Sequence, residues 1–227
     1  MTQLTQRFSD AVEFARIVHG SQVRKGSDIP YLYHLLAVAS LVMEYGGSED
    51  QAIAGLLHDV LEDCGDHHAN EIAQRFGPTV LAIVHDCTDG TADQKAAAVT
   101  PDAKRANWWQ RKLAYVAHLR KEDEASLLVS GCDKLHNALA ILADLENPGV
   151  GQAVFERFTG GRDGTLRYYA SIAALLHDRK APMARRFGAV VDRMHALAGA
   201  SEQVSLEEEV PASGGERRHE PHVAPTP

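Results

Sequence analysis

The sequence is poor in cysteine. Only Cys64, Cys87 and Cys132 occur in 227 residues, far apart and with no C-x-x-C pair. That argues against both a disulfide framework and a thiolate zinc site. Long apolar runs are also missing, and none approaches the roughly 18 residues that a membrane span needs. Met1 to Asp10 is polar and lacks the charged-then-apolar plan of a secretory leader, so a cytoplasmic location is expected. Positive charge is in deficit, with a formal net charge of −8. Six glutamates and two arginines after residue 200 account for −4 of it. The rest of the chain is only mildly acidic. It is not expected to bind nucleic acid, although a local basic pocket can still hold an anionic small molecule.

Strand-like alternation is nearly absent, while apolar residues recur at helical spacing. Phe8, Ala11, Val12, Ala15 and Val18 form one stripe; Leu35, Val38, Leu41 and Val42 form another. Ser48 and Gln51 have the spacing of a capping box opening a helix that runs to about Asp63. Pro78 and Thr100-Pro101 are further helix starts. One long helix is expected from Asp123 to Leu145, ending at Asn147-Pro148-Gly149, with two more near Leu166–His177 and Pro182–Leu197. Thr88–Thr100 reads as a polar loop beside the site. The expected architecture is an all-α domain over residues 1–200. Residues 201–227, rich in Glu, Pro, Ser and Gly, read as a disordered acidic tail.

Twelve histidines direct attention to metal or acid/base chemistry. His-Asp occurs at 58–59, 85–86 and 177–178. In the first, Glu62 and Asp63 follow one turn later on the same helical face. Four ionisable groups then crowd one end of an apolar helix, and a divalent cation would relieve the repulsion. His177-Asp178 is followed by Arg179-Lys180, which suits a helix C-terminus. His85-Asp86 has no acidic partner a turn later. One helix cannot supply all the ligands of a metal. His34 follows Pro30-Tyr31-Leu32-Tyr33 and starts an apolar helix. Asp133 lies mid-helix in Cys132-Asp133-Lys134-Leu135-His136-Asn137. Periodicity leaves each open: a core or capping histidine, and an aspartate paired with Lys134 or a neighbouring helix.

In order along the chain come Arg24-Lys25-Gly26, Pro30-Tyr31-x-x-His34, His58-Asp59-x-x-Glu62-Asp63 and Asp133-Lys134-Leu135-His136-Asn137. This series resembles the hydrolase domain of RelA/SpoT-type alarmone enzymes, closest in size to the stand-alone small alarmone hydrolases and their animal relatives. The likeness covers roughly residues 5–178. It implies an all-helical HD fold with one manganese ion (Mn2+) held by His34, His58, Asp59 and Asp133. It implies removal of pyrophosphate from the ribose 3′ position of ppGpp or pppGpp, the nucleotides of the stringent response. Glu62 and Asp63 match the family's catalytic pair. One would orient or deprotonate water and the other protonate the departing oxygen.

The same resemblance makes Arg24, Lys25 and Asn137 nucleotide contacts. It places a sugar- and phosphate-binding aromatic at Tyr168 or Tyr169. Trp108, Trp109, Arg111 and Lys112 resemble the family's W-x-x-RK region, so Arg111 and Lys112 face either phosphate or water. Two residues depart from the pattern: Cys64 stands where threonine is usual, and Arg167 where a tryptophan usually precedes the tyrosine. There is no room for the synthetase domain of the long bifunctional enzymes, so hydrolysis alone is expected. Two other readings remain. One is an HD phosphatase of another phosphorylated nucleotide such as NADPH. The other is a nucleotide-binding or antitoxin-like module. The oligomeric state is open.

Overall fold

The computed structural model describes residues 3–88, 100–200 and 203–208. Among these the chain is all α, with no strand beyond a single bridge between Val23 and Pro30. The helices are α1 Gln6–His19, α2 Leu32–Glu44, α3 Glu49–Leu57, α4 Ala69–Phe76, α5 Pro78–Cys87, α6 Pro101–Leu119, α7 Glu124–Glu146, α8 Gly161–Asp178 and α9 Ala184–Leu197. No helix among the described residues is long and apolar enough to cross a membrane.

The expected starts are realised by side-chain caps. Ser48 Oγ accepts from Gln51 N (3.3 Å) while Gln51 Oε1 accepts from Ser48 N (2.8 Å), a complete capping box. Thr100 Oγ1 caps Ala103 N, and Asp123 Oδ1 caps Ser126 N. Both apolar stripes face inward: Ala11, Ala15, Leu35, Val38 and Val42 are buried. The central helices are α2, α3 and α7, which pack on one another. Gly55 lets α3 lie close to α2, because a Cβ there would stand 3.3 Å from the Ala39 Cα. That approach brings the end of α3 beside the start of α2.

Three expectations change. The helix that opens at Ser48 ends at Leu57, not near Asp63. Residues Val60–Cys64 form a π-helical turn, in which Val60 O accepts from Gly65 N at 3.1 Å, five residues on. Gly65, at φ +114°, ends the turn in a conformation that side chains disfavour. Such wider turns recur at functional sites because they re-aim side chains. The folded part also extends beyond residue 200. Leu206 is fully buried and its N–H donates to Ser171 Oγ, while Glu207 pairs with Arg120. Leu206 is the buried apolar anchor of this segment, and Val204 is half-buried beside it. The remainder of the tail, and all but the ends of the expected Thr88–Thr100 loop, lie outside the described residues. Lastly, α4 buries only Ile72 and Phe76, too few apolar positions to stand out in the sequence.

Candidate active site

His34 comes from the first turn of α2, His58 from the end of α3, Asp59 from the start of the π turn and Asp133 from the middle of α7. They converge. His58 Nε2 lies 2.9 Å from Asp59 Oδ2 and 3.4 Å from Asp133 Oδ1. His34 Nε2 lies 3.2 Å from Asp133 Oδ1 and 3.7 Å from Asp59 Oδ2. Both Nε2 atoms are buried without a hydrogen-bond partner. Donors about 2.1 Å from one cation and at right angles are themselves about 3 Å apart; His34, His58 and Asp59 form a compact group that could hold a divalent ion, with Asp133 Oδ1 beside both imidazoles. Two imidazoles with two carboxylates suit a transition metal such as manganese, iron or zinc.

The neighbours prepare the ring nitrogens. His58 Nδ1–H donates to Gly55 O at 2.9 Å, which leaves Nε2 as the nitrogen that faces the cluster. His34 Nδ1 lies 2.7 Å from His136 Nδ1. Burial and then the nearby His34 and Arg24 push His136 down to about 4, so it stays neutral and can accept that proton. Burial pushes the Asp59 carboxyl up, but the imidazoles of His58 and His34 outweigh it and hold it well below the usual range. For Asp133, Lys134 and the same imidazoles likewise overcome burial. Burial opposes charge on His58, yet Asp59 and Asp133 raise it well above the usual imidazole range. The site draws positive charge.

Asp133 also has the ion pair that periodicity left open. Its Oδ2 meets Lys134 Nζ at 2.5 Å, and its Oδ1 accepts from Asn137 Nδ2 at 2.6 Å. Asn137 Oδ1 in turn accepts from Arg24 Nη2 at 2.8 Å. Lys134 and Asn137, which bond to Asp133, and Arg24, which bonds to Asn137, line a cavity of about 470 Å³ beside the cluster. Lys25, Lys112, Tyr168 and Tyr169, named above as substrate contacts implied by the resemblance, line it too. Gly26 (φ +81°) brings the Arg24-Lys25 loop against Arg157; a Cβ there would stand 2.5 Å from Arg157 Nε. Arg111 takes a different direction from Lys112. It does not line the cavity, and its Nε donates to Asn107, one turn back. Adjacent helical residues point about 100° apart, and Lys112 takes the inward direction.

Glu62 is half-buried and Asp63 exposed, both in the π turn. Asp63 Oδ2 accepts from Gln22 Nε2 at 2.8 Å. Sequence reasoning missed the supporting shell: Tyr31, which donates to Asp59 Oδ2 at 2.6 Å, and His136, together with Arg157 and Phe158 on the cavity wall. The first two lie inside the motif segments themselves, between or beside the expected ligands.

The other His-Asp pairs stay outside the cluster. Asp178 closes α8. Asp86 Oδ2 accepts from Ser126 Oγ at 2.6 Å, and Asp86 Oδ1 lies 3.9 Å from His118 Nε2. Beside them Glu122 is buried, with Oε1 3.2 Å from the same nitrogen. Burial and then Asp86 push the Glu122 carboxyl up to about 8. The folded state thus keeps a proton that the unfolded chain loses near pH 4.3, and stability falls as pH rises through that window. Glu122→Gln mimics the protonated form. In melts from pH 5 to 9 it should gain on the wild type as pH rises, by on the order of 1 kcal/mol or about 2–4 °C. Parallel curves would refute this.

The HD domain family model matches residues 11–166, more than half of the chain. The chain belongs to the HD-domain family. Its fold agrees with that membership. A metazoan SpoT orthologue, described as hydrolysing ppGpp, superposes with a TM-score of 0.64 at 23% identity, covering 88% of this chain and 99% of its own. A Listeria monocytogenes EGD-e protein superposes at 0.56, also at 23% identity, over 72% of this chain and 94% of its own. Among curated relatives, the Aquifex aeolicus guanosine-3′,5′-bis(diphosphate) 3′-pyrophosphohydrolase is 33% identical over 135 residues, 60% of this chain and 18% of that protein. A Xenopus tropicalis enzyme of the same name, MESH1, is 33% identical over 131 residues, 56% of this chain and 65% of its own length. A GTP pyrophosphokinase of Myxococcus xanthus is 30% identical over 127 residues, 56% of this chain and 16% of its own. This HD chain thus spans less than a fifth of the bacterial relatives and about two thirds of the animal one.

Proposed function

We propose that this HD protein is a manganese-dependent (p)ppGpp 3′-pyrophosphohydrolase that yields GDP or GTP and pyrophosphate. One observation carries the reading: Asp133 of the cluster is bonded to Lys134 and Asn137, and both line an adjoining cavity whose wall combines cations with aromatic rings. Phosphates need the first and a purine the second.

His34, His58, Asp59 and Asp133 would hold the ion. When bound, it supplies Lewis acidity toward the attacked phosphoryl group and toward water. The chain's own residues do the rest. Glu62 and Asp63 divide the proton transfers: one carboxylate orients or deprotonates the attacking water, and the other protonates the departing ribose 3′ oxygen. Water adds to phosphorus as the bond to that oxygen breaks, so the 3′-diphosphate leaves as pyrophosphate. Lys134 and Lys112 face the cavity as phosphate partners. Lys112 Nζ also sits 4.9 Å from the Tyr168 ring centroid, which fixes both side chains. Arg24, anchored by Asn137, presents a planar guanidinium to a base. Asn137 would register the nucleotide against Asp133.

A substrate panel tests this reading. Manganese-loaded protein is incubated with ppGpp, pppGpp, NADPH and GTP, and pyrophosphate and orthophosphate are measured separately. Pyrophosphate from the first two is the expected outcome. Orthophosphate from NADPH alone would move the assignment to a phosphatase. Tight ppGpp binding without any product would make the chain a binding module.

A further inference from the structure

Asp63 is exposed, yet one of its oxygens is held from beneath. Gln22 Nε2 donates to Asp63 Oδ2 at 2.8 Å. A carboxylate only accepts, so Gln22 must turn its nitrogen to Asp63 and its oxygen the other way. That oxygen lies 2.8 Å from His19 Nδ1, which must therefore carry the ring proton and donate. His19 is buried in the last turn of α1, only 5% exposed. Its ring stacks on Tyr31, with centroids 5.2 Å apart and planes 23° from parallel. Tyr31 donates to Asp59, and its backbone N–H donates to Gln22 O at 2.9 Å. One buried imidazole thus stands behind two carboxylates of the site.

We propose that Gln22, oriented by His19, is the positioning residue that fixes Asp63 for turnover. The inference rests on the reading of Asp63 as one of the two proton-transferring carboxylates. An exposed aspartate on a short turn samples several rotamers, and only some of them aim a given oxygen at the substrate. A two-step hydrogen-bond chain rooted in a buried ring removes that freedom. A neutral amide does so without cancelling the charge of Asp63, as a lysine would. The Gln22 side chain bonds to Asp63 directly, whereas it reaches Asp59 only indirectly, through His19 and the Tyr31 ring stacked on it. Removing the Gln22 amide while keeping His19 and Tyr31 therefore acts on turnover rather than on metal or substrate affinity.

Gln22→Met keeps the length of the side chain and removes both polar atoms. In the manganese-loaded full chain it should lower kcat for pyrophosphate release from ppGpp about 10- to 100-fold, with KM and bound manganese within about twofold of wild type. Gln22→Glu adds a signature that a packing role would not produce. The introduced carboxylic acid donates to Asp63 only when protonated, so activity relative to wild type should rise as pH falls. The titratable groups around position 22 and its partner His19 are His19, Tyr31, Asp63, Cys64 and His68, and all are retained in that comparison. A wild-type kcat in Gln22→Met would overturn the proposal, as would a Gln22→Glu ratio flat across pH. If Gln22→Met does not fold, the Gln22→Glu profile decides. Absence of turnover in the wild type would instead overturn the functional reading, and this proposal with it.

Discussion

Asp59→Ala should strip the protein of its cation and abolish turnover with it. Asp59 Oδ2 is 2.9 Å from His58 Nε2 and 3.7 Å from His34 Nε2, and it accepts from Tyr31 Oη. In the proposed site it would, together with Asp133, set two negative charges against a divalent ion, so the loaded cluster would be neutral. Without it, one net positive charge is left among buried rings, and an uncompensated buried charge costs several kcal/mol. Loss of a mere supporting partner typically costs about 10–100-fold in metal affinity or activity, so loss of a direct ligand should exceed that. Manganese content after dialysis should drop to background. Activity at limiting metal should fall by on the order of 10³-fold or more, the remainder recovering as manganese is raised. Stoichiometric manganese in the dialysed variant would show that Asp59 is not a ligand.

Glu62→Gln should separate chemistry from metal binding. Glu62 lies three residues beyond Asp59, outside the four-donor cluster, in the turn widened by the Val60–Gly65 hydrogen bond. The amide keeps the size and loses the ability to move a proton. Bound manganese should stay at one equivalent while kcat falls about 10²- to 10⁴-fold, the usual worth of a positioned acid or base. Atomic absorption and single-turnover kinetics on the same sample check both halves. Full activity in Glu62→Gln would remove it from the mechanism, leaving Asp63 as the remaining expected carboxylate.

The parts of this molecule that were legible in the sequence are those set by local chemistry. Caps at Ser48, Thr100 and Asp123 and the apolar stripes placed the long helices, because a cap and a period are written in adjacent residues. Charge crowding singled out His58-Asp59 from two similar pairs. His34 and Asp133 lie far from that pair in sequence. His34 meets the pair because Gly55 lets α3 close on α2, and Asp133 arrives on α7; both are tertiary facts with no local signature, so the two residues rested on the ordered resemblance. The π turn was not legible, because a shift from four to five residues in one hydrogen bond leaves the apolar pattern intact. Tyr31, His136 and Gln22 look like ordinary polar residues until the fold brings them against the carboxylates and His34.

The central claim is that one cation in the four-donor cluster is required for pyrophosphate release. Chelator-stripped protein should be titrated with manganese while heat of binding and pyrophosphate release from ppGpp are followed together. The expected result is a single site, with activity rising in step with occupancy and saturating at one equivalent. Turnover in excess chelator, or full occupancy of that site with no pyrophosphate released, would contradict it.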